Sequence, residues 1–253
     1  MNELRYQNHL SLESFDQETQ ERIAQSTITI FGIGGLGSVC SLYLTNAGVG
    51  KMNLVDYDTV DETNLPRQVI YKPNQVGMNK ALAAKATLAD FNPEVNITAY
   101  DERMMGDTLQ NIINESDLII DATDNLSSRL QINEASHKAN AIHIVGTAIR
   151  FEGQVMAFNH QSMNPCLNCI YSLFDENLED CDGAGVLSTV AGTIGILMAN
   201  TALKAIIGDD VFNQMLALDL KNNSIHRISI KKSDNCDICI DYMAYCLFYH
   251  KKK

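Results

Sequence analysis

Four cysteines stand in two Cys-x-x-Cys pairs, Cys166 with Cys169 and Cys236 with Cys239. Two such pairs provide the four thiolates of a tetrahedral zinc site. Because four thiolates leave no coordination position open for water, the ion would be structural. It would tie an irregular segment, residues 165–185, to the C-terminal end of the chain. We therefore predict a structural Zn²⁺ held by all four cysteines.

A glycine-rich stretch, Gly32-Ile33-Gly34-Gly35-Leu36-Gly37, follows a short β-branched segment and opens a helical one. Glycines there allow a tight turn and let the backbone approach a phosphate, which the helix N-terminus then attracts. Asp56 ends the next predicted strand, at the distance where a carboxylate accepts hydrogen bonds from ribose hydroxyls. A merely tight turn would leave Asp56 unexplained, so the pattern predicts a nucleotide site.

Three charged residues decide which nucleotide chemistry fits. Reaction at the α-phosphate of ATP needs cations near the phosphates, whereas hydride transfer does not. Arg67 and Lys80 supply cations, and Asp124 is a candidate ligand for Mg²⁺. Each has an alternative reading, because Arg67 and Lys80 could be surface charges and Asp124 could cap the following helix. Together with the glycine loop, the set favours ATP.

These residues require a particular scaffold. Short apolar strands alternate with helical segments, which is typical of a parallel sheet. We predict an α/β fold, a Rossmann-like doubly wound and mostly parallel sheet continued by antiparallel strands. We expect a single domain over residues 1–253, with a helical lead-in at 1–25, a nucleotide-binding core at 26–150 and a C-terminal part at 151–253. The elements that we predict are strands at 26–31, 51–55, 95–100, 118–122, 141–145 and 154–158, helices at 37–47, 78–91, 127–139 and 186–207, and a hairpin at 216–230.

Composition excludes several classes of protein. The net charge of −12 argues against a general nucleic-acid binder, because phosphate contact needs a basic surface. Hydrophobic residues make up 45% of the chain, enough for a full core. We expect no apolar run of the length of a membrane span and no signal peptide, and hence a cytoplasmic protein without membrane partners.

Taken together, the motifs resemble the MoeB/ThiF family, relatives of the ubiquitin-activating enzymes. The stretches 148–154 and 172–177 make the resemblance somewhat closer to MoeB. The residues that carry it are the glycine loop, Ala47-Gly-Val-Gly50, Asp56-Tyr-Asp58, Asn64-Leu-Pro-Arg-Gln68, Lys80, Asn92-Pro93, Asp121-Ala-Thr-Asp-Asn125 with Arg129, and the two cysteine pairs.

The resemblance implies a nucleotidyltransferase that uses ATP and Mg²⁺ to adenylate the C-terminal glycine of a ubiquitin-like sulfur-carrier protein, MoaD-like or ThiS-like, ending in Gly-Gly. The pathway would be molybdopterin or thiamine biosynthesis. It also implies a homodimer, a sulfur donor such as a cysteine desulfurase or rhodanese, and a carrier-binding region in the C-terminal part. Arg67, Lys80 and Asp124 would be catalytic, with Asp124 on the magnesium. The nucleotide contacts would be Gly32, Gly34, Gly35, Gly37, Asp56, Asp58, Asn64, Arg67, Gln68, Lys80, Asp124 and Asn125.

Two positions qualify this reading. The family usually begins Arg-Tyr-x-Arg, and its second arginine reaches ATP across the dimer, whereas this chain has Arg5-Tyr6-Gln7-Asn8. Asparagine supplies no positive charge, so either Arg5 contacts the nucleotide instead, or turnover is slow, or the protein has another role. ThiF-like proteins also carry a cysteine at Cys181 that joins covalently to the carrier. Cys181 is therefore a catalytic candidate, although neighbouring carboxylates disfavour its thiolate.

Three alternatives remain open. A weak or inactive homologue would bind a carrier or partner without adenylating it, and Asn8 is its main support. A tRNA-modifying dehydratase shares this fold, but the acidic charge and the zinc cysteines disfavour it. A nicotinamide oxidoreductase would not need the cations beside the glycine loop.

Overall fold

One eight-stranded sheet organises the computed structural model, which describes residues 4–160, 164–171 and 185–239. The strands are β1 (Thr27–Phe31), β2 (Lys51–Val55), β3 (Asn96–Tyr100), β4 (Leu118–Asp121), β5 (Ile142–Ile149), β6 (Glu152–Asn159), β7 (Gln214–Asp219) and β8 (Ser224–Ser229). Their order is β3-β2-β1-β4-β5-β6-β7-β8. The first five are parallel and the last three are antiparallel to their neighbours. The predicted fold class is confirmed.

Helices cover the parallel strands on both faces. They are α1 (Gln7–Leu10), α2 (Gln17–Gln25), α3 (Gly35–Ala47), α4 (Lys80–Phe91), α5 (Gly106–Asn114), α6 (Leu126–Ala139), α7 (Leu167–Tyr171) and α8 (Ser188–Ile207). Ile28 and Ile30 of β1 belong to a core cluster with α3, α4 and α8, whereas Phe31 packs in a second cluster with α5 and α6. Burial on both faces also encloses polar side chains, and these are paired: Asn53 Nδ2 of β2 donates to Thr29 Oγ1 of β1 at 3.0 Å.

The helix α8 differs from expectation in one respect. Its 20 residues, with a mean hydropathy of 1.6 in the most apolar window, are long and apolar enough to cross a membrane. The expectation that no apolar run reaches that length is therefore wrong. The physical reason lies in packing, because half of that window is buried inside the protein, as in the core helix of a soluble protein. A Cβ on Gly195 would lie 2.5 Å from the carbonyl oxygen of Leu36, so α8 approaches α3 very closely.

Several element boundaries also differ from the sequence predictions. The lead-in consists of two short helices, α1 and α2. The helix α4 begins at Lys80 and not at position 78, because the side chain of Asn79 accepts a hydrogen bond from Leu82 N and caps the helix. The helix α5, which the sequence analysis did not predict, buries Leu109, Ile112 and Ile113. The strands β5 and β6 are longer than predicted and form a hairpin.

Candidate active site

A pocket opens where β1, β2 and β4 end, the edge at which α/β sheets bind ligands. The glycine loop between β1 and α3 forms its floor. Gly32 has a φ of 83°, and a Cβ there would lie 2.7 Å from the carbonyl oxygen of Ala122. Ten of the residues implied as nucleotide contacts line this pocket: Gly32, Gly34, Gly35, Asp56, Asp58, Arg67, Gln68, Lys80, Asp124 and Asn125.

Asp56 is buried at the end of β2 and is bound to the glycine loop. Its Oδ2 accepts a hydrogen bond of 2.7 Å from Ile33 N, and its Oδ1 accepts one of 2.9 Å from Asp58 N. Burial raises the pKa of this carboxyl, while the two backbone donors and Lys80 act in the opposite direction. Each carboxylate oxygen keeps a second acceptor site, so Asp56 could still receive ribose hydroxyls.

The pocket contains the cations that the sequence suggested. Lys80 is buried at the start of α4, and its Nζ lies 2.9 Å from Oδ2 of Asp58. Arg67 Nη1 donates to the carbonyl oxygen of Thr63 at 2.9 Å. Beside it Gln68 is buried, and its Oε1 has no hydrogen-bond partner among the described residues. Two cations, Arg67 and Lys80, thus line the pocket near the glycine loop. The buried Oε1 of Gln68 lies beside Arg67 as a further hydrogen-bond acceptor.

Asp124 lies in the turn between β4 and α6. The residue is exposed, and among the described residues no hydrogen bond to its carboxylate is found. The side chain that caps α6 is Asn125, which accepts from Ser128 N at 2.9 Å. The capping role considered for Asp124 is therefore wrong, and its carboxylate is available to a cation in the pocket.

Three further candidates lie elsewhere. Asn64 does not line the pocket, and its Oδ1 accepts from Asp61 N in a short 3₁₀ turn. Gly37 packs on the loop from behind, since a Cβ there would lie 1.9 Å from the carbonyl oxygen of Gly32. Arg5 donates to the carbonyl oxygen of Phe91 at 3.1 Å, outside this chain's own pocket. Cys181 lies outside the described residues.

Part of the pocket wall was missed by the sequence analysis. It comes from the segment after β3 and from α5 and α6, and its members are Glu102, Arg103, Met104, Leu109, Ser128, Gln131 and Ile132. Apolar side chains are the usual lining of a small-molecule site. The apolar members of this wall, Met104, Leu109 and Ile132, therefore suit a flat aromatic base. The buried spacing of Leu109, Ile112 and Ile113 in α5 was the signal that could have revealed it.

The second candidate site is the cysteine cluster. The sulfur atoms of Cys166, Cys169, Cys236 and Cys239 all lie within 4.8 Å of one another, and all four residues are buried. Two Sγ–Sγ distances, Cys166 to Cys236 and Cys169 to Cys239, are 3.6 Å. Zinc–sulfur bonds of about 2.3 Å in a tetrahedron place sulfurs about 3.8 Å apart, so the four thiols fit Zn²⁺.

The chain around the cysteines is fixed by hydrogen bonds. Asn133 of α6 accepts from Leu167 N at 3.0 Å, and Cys236 N donates to the carbonyl oxygen of Ser233 at 3.2 Å. Hydrogen bonds from Cys166 and Cys239 lower the pKa of the Cys169 thiol. Hydrogen bonds within the cluster raise the pKa of the Cys166 and Cys239 thiols, so the fit to a metal cation rests on the spacing and burial of the four sulfurs.

The chain is similar to known proteins over most of its length. The model of the ThiF family matches residues 6–238. The chain is 35% identical over 238 residues to the molybdopterin-synthase adenylyltransferase of Salmonella typhimurium, covering 93% of this chain and 96% of that protein. It is 32% identical over 259 residues to the sulfur carrier protein adenylyltransferase of Thermus thermophilus, covering 96% of each.

A solved structure shows the same fold. The crystal structure of Escherichia coli MccB with MccA-N7isoASN superposes with a TM-score of 0.80 at 20% identity, covering 93% of this chain and 74% of that one. The match of the family model over most of the sequence, and relatives of more than 30% identity, agree on one assignment: this chain belongs to the ThiF family.

Proposed function

We propose that this protein is an ATP-dependent adenylyltransferase that activates the C-terminal glycine carboxylate of a small ubiquitin-like sulfur-carrier protein as an acyl-adenylate. The observation that carries the proposal is the pocket, in which the glycine loop, Asp56, Arg67, Lys80 and Asp124 meet. The named activities of the Salmonella and Thermus relatives support the same reaction. The carrier would be MoaD-like or ThiS-like and end in Gly-Gly, for molybdopterin or thiamine biosynthesis.

The chemistry follows from the charges in the pocket. The carrier carboxylate attacks the α-phosphate, a bond forms between its oxygen and phosphorus, and pyrophosphate leaves with the electron pair of the broken P–O bond. The carboxylate is already a nucleophile, so no general base is needed. Arg67 and Lys80 stabilise the negative charge that develops on the phosphates, and the pocket positions the two reactants.

The metals have separate roles in this proposal. Asp124 would hold Mg²⁺, which neutralises phosphate charge when bound. Zn²⁺ at the four cysteines is structural, because a closed tetrahedral site leaves no position for water or substrate. Cys181 remains a candidate for covalent attachment to the carrier.

We further propose a homodimer in the cytoplasm, with a cysteine desulfurase or rhodanese as sulfur donor. The apolar residues of α8 pack largely within this chain, so this helix gives little support to a dimer. A better argument is a set of exposed apolar side chains on and around α4, namely Val69, Val76, Met78, Leu82 and Phe91. Sedimentation equilibrium at micromolar concentration tests the dimer, and a stable monomer contradicts it.

The test of the function is ATP–pyrophosphate exchange with purified MoaD-like and ThiS-like carriers. We expect exchange that depends on a carrier with an intact Gly-Gly end, and none with the same carrier lacking its last glycine. Nucleotide binding without exchange on any carrier supports instead the homologue that only binds a partner. Exchange that depends on tRNA and not on a carrier supports the dehydratase.

A further inference from the structure

Arg129 of α6 is a buried arginine that reaches the turn bearing Asp124. Its Nη2 donates to the carbonyl oxygen of Thr123 and, at 3.0 Å, to the carbonyl oxygen of Gly146 in β5. Only 7% of the residue is exposed. The guanidinium therefore joins the turn after β4 to the neighbouring strand, and Arg129 itself does not line the pocket.

The carbonyl that Arg129 holds belongs to the peptide group that links Thr123 to Asp124. A peptide group is planar, so fixing its oxygen also fixes the direction of the Asp124 N–H and the position of its Cα. A single buried donor thus constrains the backbone from which the Asp124 carboxylate extends.

The preceding peptide group is held by a second buried charge. Oδ1 of Asp121 accepts from Thr123 N at 3.0 Å and from Thr123 Oγ1 at 2.7 Å. Burial disfavours the charged carboxylate, but Arg129 and His143 outweigh burial and lower the pKa of Asp121. His143 Nε2 lies 3.8 Å from Asp121 Oδ2. Both peptide groups of Thr123 are therefore fixed, one by Asp121 and one by Arg129.

We propose that Arg129 is a positioning residue for the metal–nucleotide complex, which holds the Thr123–Asp124 peptide so that the Asp124 carboxylate meets Mg²⁺ bound to ATP. This inference rests on the proposed function. A buried charge is costly unless it is hydrogen-bonded, and here the Arg129 guanidinium donates to two backbone carbonyl oxygens. Outer partners of a metal ligand typically contribute about 10–100-fold to metal affinity.

The experiment measures nucleotide binding by the full-length protein, without a carrier. Calorimetric titration with a non-hydrolysable ATP analogue is repeated in chelator and over a series of Mg²⁺ concentrations. The variants are Arg129→Lys, which keeps a positive charge beside Asp121, and Arg129→Met, which removes it. Arg22→Lys is the matched control, because Arg22 donates to the carbonyl oxygen of Ile207 far from the pocket.

In the unaltered protein, Mg²⁺ should increase the affinity for the ATP analogue. We expect Arg129→Lys to need about tenfold more Mg²⁺ to reach half of that increase, and Arg129→Met to need more still. In chelator, the affinity of both Arg129 variants for the ATP analogue should stay within about twofold of that of the unaltered protein. Arg22→Lys should bind the analogue as the unaltered protein does, with chelator and at every Mg²⁺ concentration. If Arg129→Met does not fold, Arg129→Lys decides alone. An unchanged Mg²⁺ requirement overturns the inference, as does an equal loss of affinity with and without Mg²⁺, which indicates a general structural role. An unaltered protein that binds no nucleotide contradicts the proposed function itself.

Discussion

The carboxylate of Asp56 accepts a hydrogen bond of 2.7 Å from the backbone N–H of Ile33. The carbonyl oxygen of Ile33 in turn accepts one of 2.7 Å from Tyr71 Oη. The backbone of the glycine loop is thus held at Ile33 by the end of β2 on one side and by a buried tyrosine on the other. Asp56 orders the loop before any ligand arrives, in addition to the ribose contact proposed for it.

Replacing Asp56 with asparagine should loosen this loop. The amide has one acceptor oxygen and its nitrogen would face a backbone donor, so we expect a loss of about 1–3 kcal/mol in the free energy of unfolding and weaker nucleotide binding. Denaturant unfolding and calorimetry measure the two effects. Asp61→Asn is the control, since Asp61 also accepts from a backbone N–H but is exposed and outside the pocket.

The same variant should change the pH dependence of stability. Burial raises the pKa of Asp56 above its ordinary value of 3.8, so the folded protein binds the proton more tightly than the unfolded chain does. The contribution of this group is fully present below pH 3.8 and is lost as pH rises through the folded pKa. Asp56→Asn should lack that fall, and identical pH profiles contradict the assignment.

Asp124→Ala should abolish carrier adenylation and leave the fold intact. The carboxylate is exposed and, among the described residues, makes no hydrogen bond, so its removal costs the folded chain little. Loss of a metal ligand at the reacting phosphates should slow pyrophosphate exchange by at least about 10²-fold. Normal exchange together with a normal Mg²⁺ dependence shows that the metal is held by other residues.

Lys80→Gln should reduce exchange more than Asp58→Asn does. Lys80 Nζ lies 2.9 Å from Asp58, and the two side chains are 10% and 50% exposed, respectively. We expect Lys80→Gln to lower the rate about 10²–10³-fold, because the lysine supplies charge to the pocket. Asp58→Asn leaves that charge in place. Equal losses in the two variants indicate that the ion pair, and not the cation, is what matters.

The cysteine cluster should hold one zinc ion per chain. Elemental analysis of protein purified without chelator should give one equivalent, and Cys236→Ser should lose it along with several kcal/mol of folding free energy, since structural zinc stabilises the folded state directly. Cys246→Ser is the control, because Cys246 lies outside the two Cys-x-x-Cys pairs of the sequence. Zinc-free protein of unchanged stability rules the site out.

The N-terminal segment gives a test of the departure from the family pattern. Asn8 is exposed on α1, and Arg5 contacts Phe91 of its own chain. If position 8 faces the pocket of a partner subunit, Asn8→Arg should raise exchange by up to about 10²-fold. If Arg5 supplies the charge, Arg5→Ala should cripple exchange and Asn8→Arg should change little. No effect of either variant shows that this segment does not reach the nucleotide.

Local signals explain why the parallel part of the fold was predictable. The β-branched strand β1, the glycines after it and Asp56 at the end of β2 all lie close together in sequence, and each carries its own conformational or chemical preference. The cysteine spacing likewise predicted a cluster that the structure confirms as four adjacent thiols.

What the sequence did not reveal depends on contacts between distant segments. Arg103, in the segment after β3, lines the pocket beside α6, where its Nη2 lies 3.5 Å from Ser128 Oγ, a contact between positions 25 residues apart in the sequence. The bond from Arg129 to Gly146 depends on which strand lies next to β4. The sequence pattern does not show which strands are neighbours in the sheet. The hydrogen bonds from Arg129 that hold the Thr123–Asp124 peptide were therefore not predicted.

The separation of the cysteine pairs has a consequence for how the protein is made. Cys166 and Cys236 are 70 positions apart, with α8, β7 and β8 between them, whereas β1 to β6 all precede Cys166. On the ribosome the first six strands are made before the second pair emerges, so the cluster can close only after them. In a cell starved of zinc, newly made chains would keep the glycine loop but lack the link between their C-terminal cysteines and α7. Such chains are the ones that proteases and chaperones remove first, so zinc supply would set how much of this protein accumulates.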